Sequence, residues 1–457
     1  MKFNSQDSTL EVDDQMLVAA LLDFDIDTFR KYFFSLHPYD QAQFYVELSP
    51  SKRQVLYTFL SPVEMAVIFR EIELEEEQID VFLKEMDSTY AADMLSYMYT
   101  DDVVDVLNEL GTVEREAYLE LMDDDVVEEI NEFLNYDEYT AGGIMTTEYV
   151  SVYAHSTVRE AMRVLREEAK EAETIYYIFV VNSEKQLVGV MSLRDLIIAD
   201  ADMIVSDIMS DRVVSVYANE DQEEAARIMM DYNFLALPVI DENKAMLGII
   251  TVDDIIDVIE EEASEDYSKL AGISDSEDIS SGPLKAAKSR LPWLIILLFL
   301  GMLTANLMSL FEATLEQVAL LSIFIPLISG TSGNSGTQAL AVAVRGIATG
   351  DVKDQSKLKL LMREMVTGFI MGVACAVVVV AIVYFWKGEL VMGLLVGGAI
   401  LCSIFVATLA GSFIPLLMHR LGIDPAVASG PFITTLNDVT SLMIYLGLAT
   451  VFLSQIM

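Results

Sequence analysis

The C-terminal part of the chain contains apolar stretches that are long enough to cross a bilayer. A spanning helix needs about 20 mostly apolar residues, and five stretches reach that length, at 291–311, 318–344, 360–386, 390–418 and 426–453. The second stretch is interrupted by glycine and serine. The pattern predicts a multi-pass membrane domain of five helices over residues 290–457.

One charged residue lies in the middle of the last stretch. Asp438 is the only charged side chain between Asp424 and the final Met457. A carboxylate at the centre of a spanning helix costs roughly 2.5–3.5 kcal/mol, so it usually faces a protein interior or a water-filled path. We interpret Asp438 as the charged ligand of an ion pathway. The alternative is a buried carboxylate that a polar neighbour holds for packing alone.

The net charge of the chain lies entirely outside the predicted membrane domain. The whole chain carries -44, and residues 290–457 contain eight basic and eight acidic residues, so 20 basic and 64 acidic residues remain in 1–289. Such a surface does not bind nucleic acid, which requires positive charge against phosphate. It attracts cations, and divalent cations most strongly. The alternatives are that the charge serves solubility or reflects an acidophobic or salt-adapted host proteome.

Basic residues near the apolar stretches predict their orientation. By the positive-inside bias, the large N-terminal part is cytoplasmic and the C-terminus is outside. The N-terminal sequence MKFNSQDSTLEVDD is acidic and polar, so no signal peptide is expected. The basic residues on the predicted cytoplasmic side, against Lys387 alone on the other, are Lys285, Lys288, Arg290, Arg345, Lys353, Lys357, Lys359, Arg363 and Arg420.

Cysteine and histidine are too few for several classes of site. Two cysteines, both in apolar stretches, exclude a disulfide framework and a cysteine metal site. Three scattered histidines form no His-Glu-x-x-His helix, so an intramembrane zinc protease is excluded. We therefore expect a protein that is not an enzyme.

The middle of the chain contains an internal repeat. The pentapeptide VSVYA occurs at 150–154 and again at 214–218, and Ile-Met occurs at 144–145 and 208–209, with the same offset for both pairs. VGVMSLRDLI at 188–197 returns as LGIITVDDII at 247–256, with a slightly shorter offset. Each copy has the pattern strand, helix, two strands, helix, with a helix over 158–168 and strands over 176–181 and 187–191 in the first copy. Two such copies predict paired α/β modules.

The repeat resembles tandem CBS domains, with the first at 139–200 and the second at 201–263. The specific feature is Gly-x-x-Ser/Thr-x-x-Asp, which ends in Ser192 and Asp195 in the first copy and in Thr251 and Asp254 in the second. The resemblance implies that these hydroxyl and carboxylate groups bind an adenine nucleotide such as ATP. The alternative is that Ser192 and Thr251 only cap the following helices.

The segments on either side of the repeat are helical in pattern. Residues 1–138 form an acidic all-α domain, in which amphipathic units open at nearly even spacing, at Leu36, Leu60 and Met86. This spacing is typical of a helical solenoid. Residues 264–289 overlap the end of the acidic run EEEASED at 260–266 and have few apolar residues. They are predicted to be a connecting helix and linker, with a solvated acidic spacer as the alternative.

Two motifs in the membrane part complete a family resemblance. PLISGTSGNSGTQALAVAVRG fills 326–346, and DPAVASGPFITTLNDVTSLMIYLGLA fills 424–449. With the domain order, they resemble the MgtE family of magnesium channels over nearly the whole chain. The resemblance implies a homodimer in the cell membrane that takes up Mg²⁺, with a pore lined by the second and fifth spans. The alternative cargo within this architecture is Co²⁺, Mn²⁺ or Ni²⁺.

The resemblance assigns pore residues to this sequence. Asp438 binds the ion, and Thr434 lies one helical turn earlier on the same face. Asn334 lines the pore, and Gln338 offers another carbonyl oxygen. Gly330, Gly333 and Gly336 permit close helix approach or a non-helical break, while Gly430 and Pro431 open space or kink the last helix. Asp424 before Pro425 is better interpreted as a helix N-cap.

The resemblance also implies that cytosolic Mg²⁺ closes the pore. It would bridge acidic faces of the N-domain, the CBS pair and the connecting helix, where facing carboxylates otherwise repel one another. The regulatory candidates are Glu262, Glu265, Asp266, Asp254, Asp257, Asp93, Asp101 and Asp102.

Overall fold

The protein is described here from a computed structural model. The structure describes residues 14–72, 76–170, 172–273, 282–350, 352, 356–428 and 430–452. Residues 1–13, part of the predicted linker (274–281) and Lys353 therefore lie outside the described residues. The chain divides into two compact units, residues 1–258 and 259–457, and each is considered by itself.

The described residues of the first unit up to Phe133 form ten short helices. Proline occupies the first turn of α3, α4 and α5, where its missing N–H removes no helical hydrogen bond. Helix α3 packs on α5, α5 on α7 and α7 on α9, which is the stacking of a solenoid. The predicted helical N-domain is thus confirmed. Its helices are α1 Asp14–Leu22, α2 Ile26–Phe33, α3 Pro38–Glu47, α4 Pro50–Leu56, α5 Pro62–Phe69, α6 Glu76–Glu85, α7 Ser88–Leu95, α8 Thr100–Asn108, α9 Thr112–Leu119 and α10 Asp124–Phe133.

Two three-stranded sheets follow, and they confirm the predicted α/β pair. In each sheet the first two strands are parallel and the last two are antiparallel. The first copy comprises β1 Tyr149–Tyr153, α11 Val158–Glu168, β2 Thr174–Val181, β3 Leu187–Ser192 and α12 Leu193–Ile198. The second comprises β4 Val216–Tyr217, α13 Gln222–Tyr232, β5 Ala236–Ile240, β6 Met246–Thr251 and α14 Val252–Ala271.

The segments that precede the two copies are exchanged between them. Thr146, which leads into the first copy, forms a bridge with Ile249 of β6, and its N–H donates to the Ile249 carbonyl at 2.8 Å. Ser210, which leads into the second copy, forms the equivalent bridge with Val190 of β3. Each sheet is therefore completed by a segment that belongs to the other copy.

This exchange explains the glycine of the repeated motif. A Cβ at Gly248 would lie 2.5 Å from the Thr146 carbonyl oxygen, and a Cβ at Gly189 would lie 2.3 Å from the sulfur of Met209. Only glycine allows the exchanged segments to approach the strands this closely. The repeated Ile-Met and Gly-x-x-Ser/Thr-x-x-Asp sequences are thus two sides of one contact.

The connecting helix is not a separate element. Helix α14 runs without a break from Val252 to Ala271 and therefore crosses the boundary predicted after residue 263. It ends at Gly272, whose φ of +75° is the left-handed conformation that favours glycine after a helix.

The second unit is a bundle of long helices. Helix α19 packs against α17, α18 and α20, and it contributes much of the buried apolar core. The helices are α15 Pro283–Ser309, α16 Glu312–Gln317, α17 Ile325–Ala348, α18 Lys357–Lys387, α19 Leu390–Arg420 and α20 Gly430–Val451. Short 3-10 helices at Ala319–Phe324 and Pro425–Val427 precede α17 and α20.

Within the residues that the structure describes, four helices are long and apolar enough to cross a membrane, namely α15, α18, α19 and α20. Helix α17 has 24 residues, but it carries the polar run SGTSGNSGTQ. The predicted count of five spans therefore remains a prediction.

Three details predicted for the spans differ in the structure. The second begins at Ile325 rather than at 318, because a 3-10 helix precedes Pro326. The glycine-rich run forms no break, since α17 is continuous through it. Pro431 produces no kink, because it lies in the first turn of α20, where proline is tolerated.

Candidate functional site: an acidic residue between two membrane helices

Asp438 lies in the middle of α20, where that helix packs against α17. Its carboxylate accepts a hydrogen bond from the hydroxyl of Ser329 on α17. The side chain is half-buried, so one side of the carboxylate is held and the other remains accessible. An ion ligand requires this combination of a fixed position and an open oxygen.

Two glycines of α17 set the distance between the helices. A Cβ at Gly333 would lie 2.9 Å from the Thr434 methyl group and 3.7 Å from an Asp438 oxygen. A Cβ at Gly336 would lie 1.9 Å from the side-chain nitrogen of Asn437. The predicted close approach therefore involves Gly333 and Gly336, whereas a Cβ at Gly330 would meet nothing within 4 Å.

Thr434 shares the face of α20 that carries Asp438. Its hydroxyl lies 3.2 Å from the hydroxyl of Thr337 on α17. With Ser329, these groups give Asp438 a row of hydroxyl neighbours along the contact between the two helices. Hydroxyl oxygens suit a hydrated cation because they can accept hydrogen bonds from its water shell.

Asn334, predicted to line the pore, is not among the neighbours of Asp438 within one copy of the chain. It is exposed on α17, as is Gln338 one turn later, and the carboxylate of Asp438 binds Ser329 instead. The two amides therefore form, with Gly330, an exposed polar stripe on a helix of the membrane domain.

Asn437 is a buried polar residue that the sequence analysis did not single out. It is 1% exposed, and neither polar atom of its side chain has a hydrogen-bond partner among the described residues. Its neighbour in sequence is the membrane carboxylate Asp438. An unpaired buried amide is costly, which is typical of functional sites rather than of packing alone.

The end of α14 contacts the start of α20 within the second unit. The ammonium of Lys269 lies 2.7 Å from Asp424 and 2.6 Å from Glu265. Asp424 also accepts a hydrogen bond from the Ala426 N–H at 2.8 Å, which is the N-cap that the sequence indicated. Helix α14 is thus held close to the helix that carries Asp438.

The acidic run of α14 is placed along that same contact. Burial and the nearby negative charge of Asp424 raise the pKa of Asp266 to about 6. Glu262 is half-buried one turn before Asp266 on α14. The carboxylate of Glu265 is already engaged by Lys269. The ionised form of Asp266 is thus disfavoured at this contact, and a cation bound there would favour it.

Five carboxylates meet in the first unit, and they are called here the acidic cluster. Ligand oxygens of Glu173, Asp253 and Asp254 all lie within 4.8 Å of one another. Asp101 and Asp102, in the first turn of α8, are close enough to Asp254 for its charge to raise the pKa of both. The structure therefore brings together Asp101, Asp102 and Asp254, which the sequence proposed, with Glu173 and Asp253, which it did not.

The pKa values of the acidic cluster are raised by burial and by mutual repulsion. Burial, followed by the charges of Asp102, Asp254 and Glu173, holds the pKa of Asp101 well above its usual range. Burial is also the main cause for Asp102, with a pKa of about 7, and for Glu173, with a pKa of about 8. One oxygen each of Asp101 and Glu173 is buried without a hydrogen-bond partner among the described residues. Such oxygens fit a hard divalent cation.

Two other regulatory candidates lie apart from this centre. Asp93 is exposed on α7. Asp257 is exposed on α14, three residues after Asp254, whose pKa its charge helps to raise. Neither belongs to the acidic cluster as defined.

The repeated hydroxyl–carboxylate pairs form helix caps. Ser192 and Asp195 form a reciprocal capping box at α12, with the two side chains 2.6 Å apart. In the second copy, the Asp254 carboxylate accepts from the Thr251 hydroxyl at 2.5 Å and from the Thr251 N–H at 3.2 Å. Capping therefore accounts for both pairs without a ligand. Because Asp254 belongs to the acidic cluster, the second-copy pair lies among like charges that would repel a nucleotide phosphate.

Ser329, Glu173 and Asp253 had different signals in the sequence. Ser329 lies one turn before Gly333, so any partner helix that contacts the glycine also meets the serine. Asp253 adjoins a residue that was proposed. Glu173 precedes β2 and reaches Asp254 only through the tertiary fold, so no local pattern could have found it.

Comparisons with known proteins cover the whole architecture. Residues 325–448 match the MgtE divalent cation transporter family, 36–139 match the MgtE intracellular N domain, and 141–202 and 205–261 match CBS domains. The magnesium transporter MgtE of Enterococcus faecalis is 51% identical over 445 residues, which cover 97% of this chain and 98% of the relative. The chain belongs to the MgtE family. MgtE proteins of Bacillus subtilis and Thermus thermophilus are each 38% identical, over 96% of the chain and 97% and 98% of their own lengths.

Two solved structures of magnesium-transport proteins each match about half of the chain. The soluble part of a magnesium transporter is 50% identical, with a TM-score of 0.54 over 55% of this chain and 98% of the other. The cytosolic domain of the Mg²⁺ channel MgtE, solved in complex with ATP, is 38% identical, with a TM-score of 0.51 over 54% of this chain and 100% of the other. MgtE is a family of membrane transporters, not of enzymes.

Proposed function

We propose that the chain conducts Mg²⁺ into the cell across the cytoplasmic membrane. The observation that carries the proposal is Asp438, a half-buried carboxylate in a membrane helix whose neighbours are hydroxyl groups. Mg²⁺ takes oxygen ligands in octahedral geometry and gives up its water reluctantly. A site with one carboxylate and several hydroxyls suits such a hydrated ion. The magnesium transporters at 51% and 38% identity support the choice of cargo.

The proposed pore requires two copies of the chain. One copy offers a single carboxylate, whereas two copies around a twofold axis would offer two. The exposed stripe of Gly330, Asn334 and Gln338 on α17 supports a homodimer, because polar side chains are poorly suited to face lipid. The excess of basic residues at one end of the helices supports a cytoplasmic N-terminal part and an outside C-terminus.

Cytosolic Mg²⁺ is proposed to close this pore. The acidic cluster offers buried, unpaired carboxylate oxygens that fit the ion. Mg²⁺ bound there would neutralise carboxylates that otherwise repel one another, and so would draw α8 toward the start of α14. Glu262, Glu265 and Asp266 would act at the other end of α14, where Lys269 already joins that helix to the segment preceding α20.

ATP is proposed to bind at the first CBS copy. A relative's cytosolic domain has been solved with ATP. Here the exposed Arg194 lies between Ser192 and Asp195 in the sequence, and Tyr177 pairs with Ser192 in the sheet. A guanidinium and an aromatic ring suit phosphate and adenine. Calorimetry with ATP on the full-length protein and on S192A/D195N tests the site, and equal heats from both proteins would reject it.

A single experiment tests the main proposal. Purified protein in planar bilayers, with Mg²⁺ as the only permeant cation, should show single-channel current. The absence of current at millimolar Mg²⁺, with the protein correctly inserted, would reject a channel. Equal currents with Co²⁺, Mn²⁺ or Ni²⁺ would instead indicate a broader divalent cation transporter.

A further inference from the structure

A basic cavity lies between the end of α17 and the start of α18. It has a volume of about 390 Å³ and is lined by Val342, Arg345, Gly346, Val352, Ser356, Lys359, Leu360 and Arg363. Three of these side chains carry positive charge. Residues 351 and 353–355 of the connection lie outside the described residues.

The charges of the lining are only partly balanced. Arg363 pairs with the buried Glu364, at 3.2 Å between guanidinium and carboxylate. Arg345 and Lys359 are exposed, and neither has an acidic partner within the part of the chain that the structure describes. Three positively charged side chains around one cavity repel one another, and a bound anion would offset that repulsion by attracting all three. The geometry of the lining suits an anion with several oxygens, since guanidinium and ammonium groups both donate to phosphate.

An apolar stripe on α18 begins at the same end of the helix as this cavity, on the adjacent helix face. Leu358, Met362, Val366 and Ile370 recur every four residues, and each is more than half exposed. They cover roughly 18 Å along the helix, given a rise of about 1.5 Å per residue. In a membrane domain this surface faces acyl chains, so a ligand with a phosphate head and a hydrocarbon tail would meet both features at once.

We propose that the cavity binds the phosphate group of an anionic phospholipid, whose acyl chain lies along the α18 stripe. The shared chemistry of the ligand is a phosphate oxyanion, which a free phosphate ion also offers. The apolar stripe beside the cavity favours the lipid. Basic pockets at the ends of membrane helices are well suited to anionic lipid headgroups.

Native mass spectrometry of the full-length protein tests this proposal. The protein would be released from mixed micelles that contain equal amounts of phosphatidylglycerol and phosphatidylcholine. Phosphatidylglycerol is expected to be retained at least tenfold more than phosphatidylcholine, and R345Q/K359Q is expected to lose that preference. Arg363 is left in place because it pairs with Glu364. Equal retention of the two lipids by the parent would overturn the proposal.

Matched variants distinguish lipid binding at this cavity from a general effect of positive charge. K285Q/K288Q removes the same charge from exposed positions at the start of α15 and should keep the preference. R345K/K359R preserves both charges and should bind within about threefold of the parent. If R345Q/K359Q does not fold, R345Q and K359Q alone should each lose about threefold in retention. Parent-like retention in the double variant, or in both single variants, would overturn the proposal.

Inorganic phosphate distinguishes the two sources of the oxyanion. Phosphate at about 10 mM is expected to leave the retained phosphatidylglycerol unchanged, because the lipid also has its acyl contacts. Displacement of the lipid by inorganic phosphate at that concentration would identify a site for the free ion and overturn the lipid assignment.

Discussion

The ammonium of Lys269 lies 2.7 Å from the carboxylate of Asp424, joining the end of α14 to the segment from which α20 begins. Gly272 and Leu270 extend the contact, since a Cβ on Gly272 would lie 3.3 Å from Pro431 and the Leu270 carbonyl lies 3.1 Å from the Cβ position of Gly430. The Lys269 ammonium therefore already supplies a positive charge among the carboxylates of Glu265, Asp266 and Asp424. Movement of α14 at this point would reach the helix that carries Asp438.

Removal of the Lys269 ammonium should make the contact between the end of α14 and the segment before α20 depend on Mg²⁺. In K269M the three carboxylates face one another without a positive charge, so the end of α14 should loosen when Mg²⁺ is absent. Amide hydrogen exchange of the peptide covering residues 265–273 should become several-fold faster without Mg²⁺ and return toward the parent at millimolar Mg²⁺. K285M, which changes an exposed lysine at the start of α15, is the control. Identical exchange in K269M and the parent would contradict this role.

Neutralisation of Asp438 should abolish uptake without unfolding the protein. Asn is close to Asp in size and can still accept from Ser329, but it lacks the charge that attracts the ion. Mg²⁺ uptake into proteoliposomes by D438N should fall at least 100-fold, while the elution volume of the protein stays unchanged. E389Q, which changes an exposed acid that precedes α19, should transport normally. Parent-like uptake by D438N would remove Asp438 from the pathway.

A methyl group at position 333 should separate the two helices. Its Cβ would lie 2.9 Å from Thr434, and overpacking of this kind typically costs about 1–3 kcal/mol. We expect G333A to lower Mg²⁺ uptake about tenfold or more. G398A on α19 is a matched control, since its Cβ would meet nothing within 4 Å. If G333A and G398A transport equally well, the close approach of α17 and α20 is not required.

Neutralisation of the acidic run on α14 should remove inhibition and leave conduction intact. E262Q/E265Q/D266N should conduct at internal Mg²⁺ concentrations that close the parent, measured in inside-out patches. The control is E116Q/E120Q/E184Q, which changes three exposed carboxylates elsewhere by the same charge. Closure of the triple variant at the same internal Mg²⁺ as the parent would place the sensor in another part of the chain, with the acidic cluster as the next set to neutralise.

The acidic cluster should make the stability of the first unit depend on pH. The pKa values of Asp102 and Glu173, about 7 and 8, lie above the values of about 4 expected for the unfolded chain. A carboxyl group whose pKa is higher in the folded than in the unfolded chain stabilises the folded state while it is protonated. This stabilisation is complete below the unfolded-state pKa and is lost as the pH rises through the folded-state values of about 7 to 8. Without divalent cations, the midpoint of the thermal transition that unfolds the first unit should therefore fall by roughly 10 °C or more between pH 5.5 and 8.

Two variations test the origin of that fall. Millimolar Mg²⁺ at pH 8 should restore the midpoint, because the cation takes the place of the missing protons. D101N/E173Q should flatten the pH dependence, since fewer groups titrate. A variant with the same slope as the parent would assign the dependence to other groups.

The parts of the fold that follow from local patterns were predictable. The helix expected over 158–168 is α11, and the strands expected after it are β2 and β3, because hydrophobic periodicity and turn residues are local signals. The start of the second span was not predictable in this way. The segment ALLSIF before Pro326 is as apolar as a membrane helix but forms a 3-10 helix.

The candidate sites also divide into residues that a local sequence pattern could predict and residues that it could not. Asp438 could be identified because a charged residue in an apolar membrane span costs free energy whatever packs around it. The carboxylates of α8 and α14 could be proposed from their density. Their contact with Glu173 joins residues that are far apart in sequence, and so does the contact of Asp266 with Asp424. Composition and spacing do not reveal such contacts.

The exchanged segments before the two CBS copies have a consequence for how such a chain can arise. Because Thr146 completes the second sheet and Ser210 completes the first, one copy in isolation would leave a strand edge open and its own leading segment unused. Two separate single-copy chains could satisfy both by trading these segments. The tandem pair therefore has, within one chain, the topology of a domain-swapped dimer, which is the arrangement that fusion of two such single-copy chains would produce.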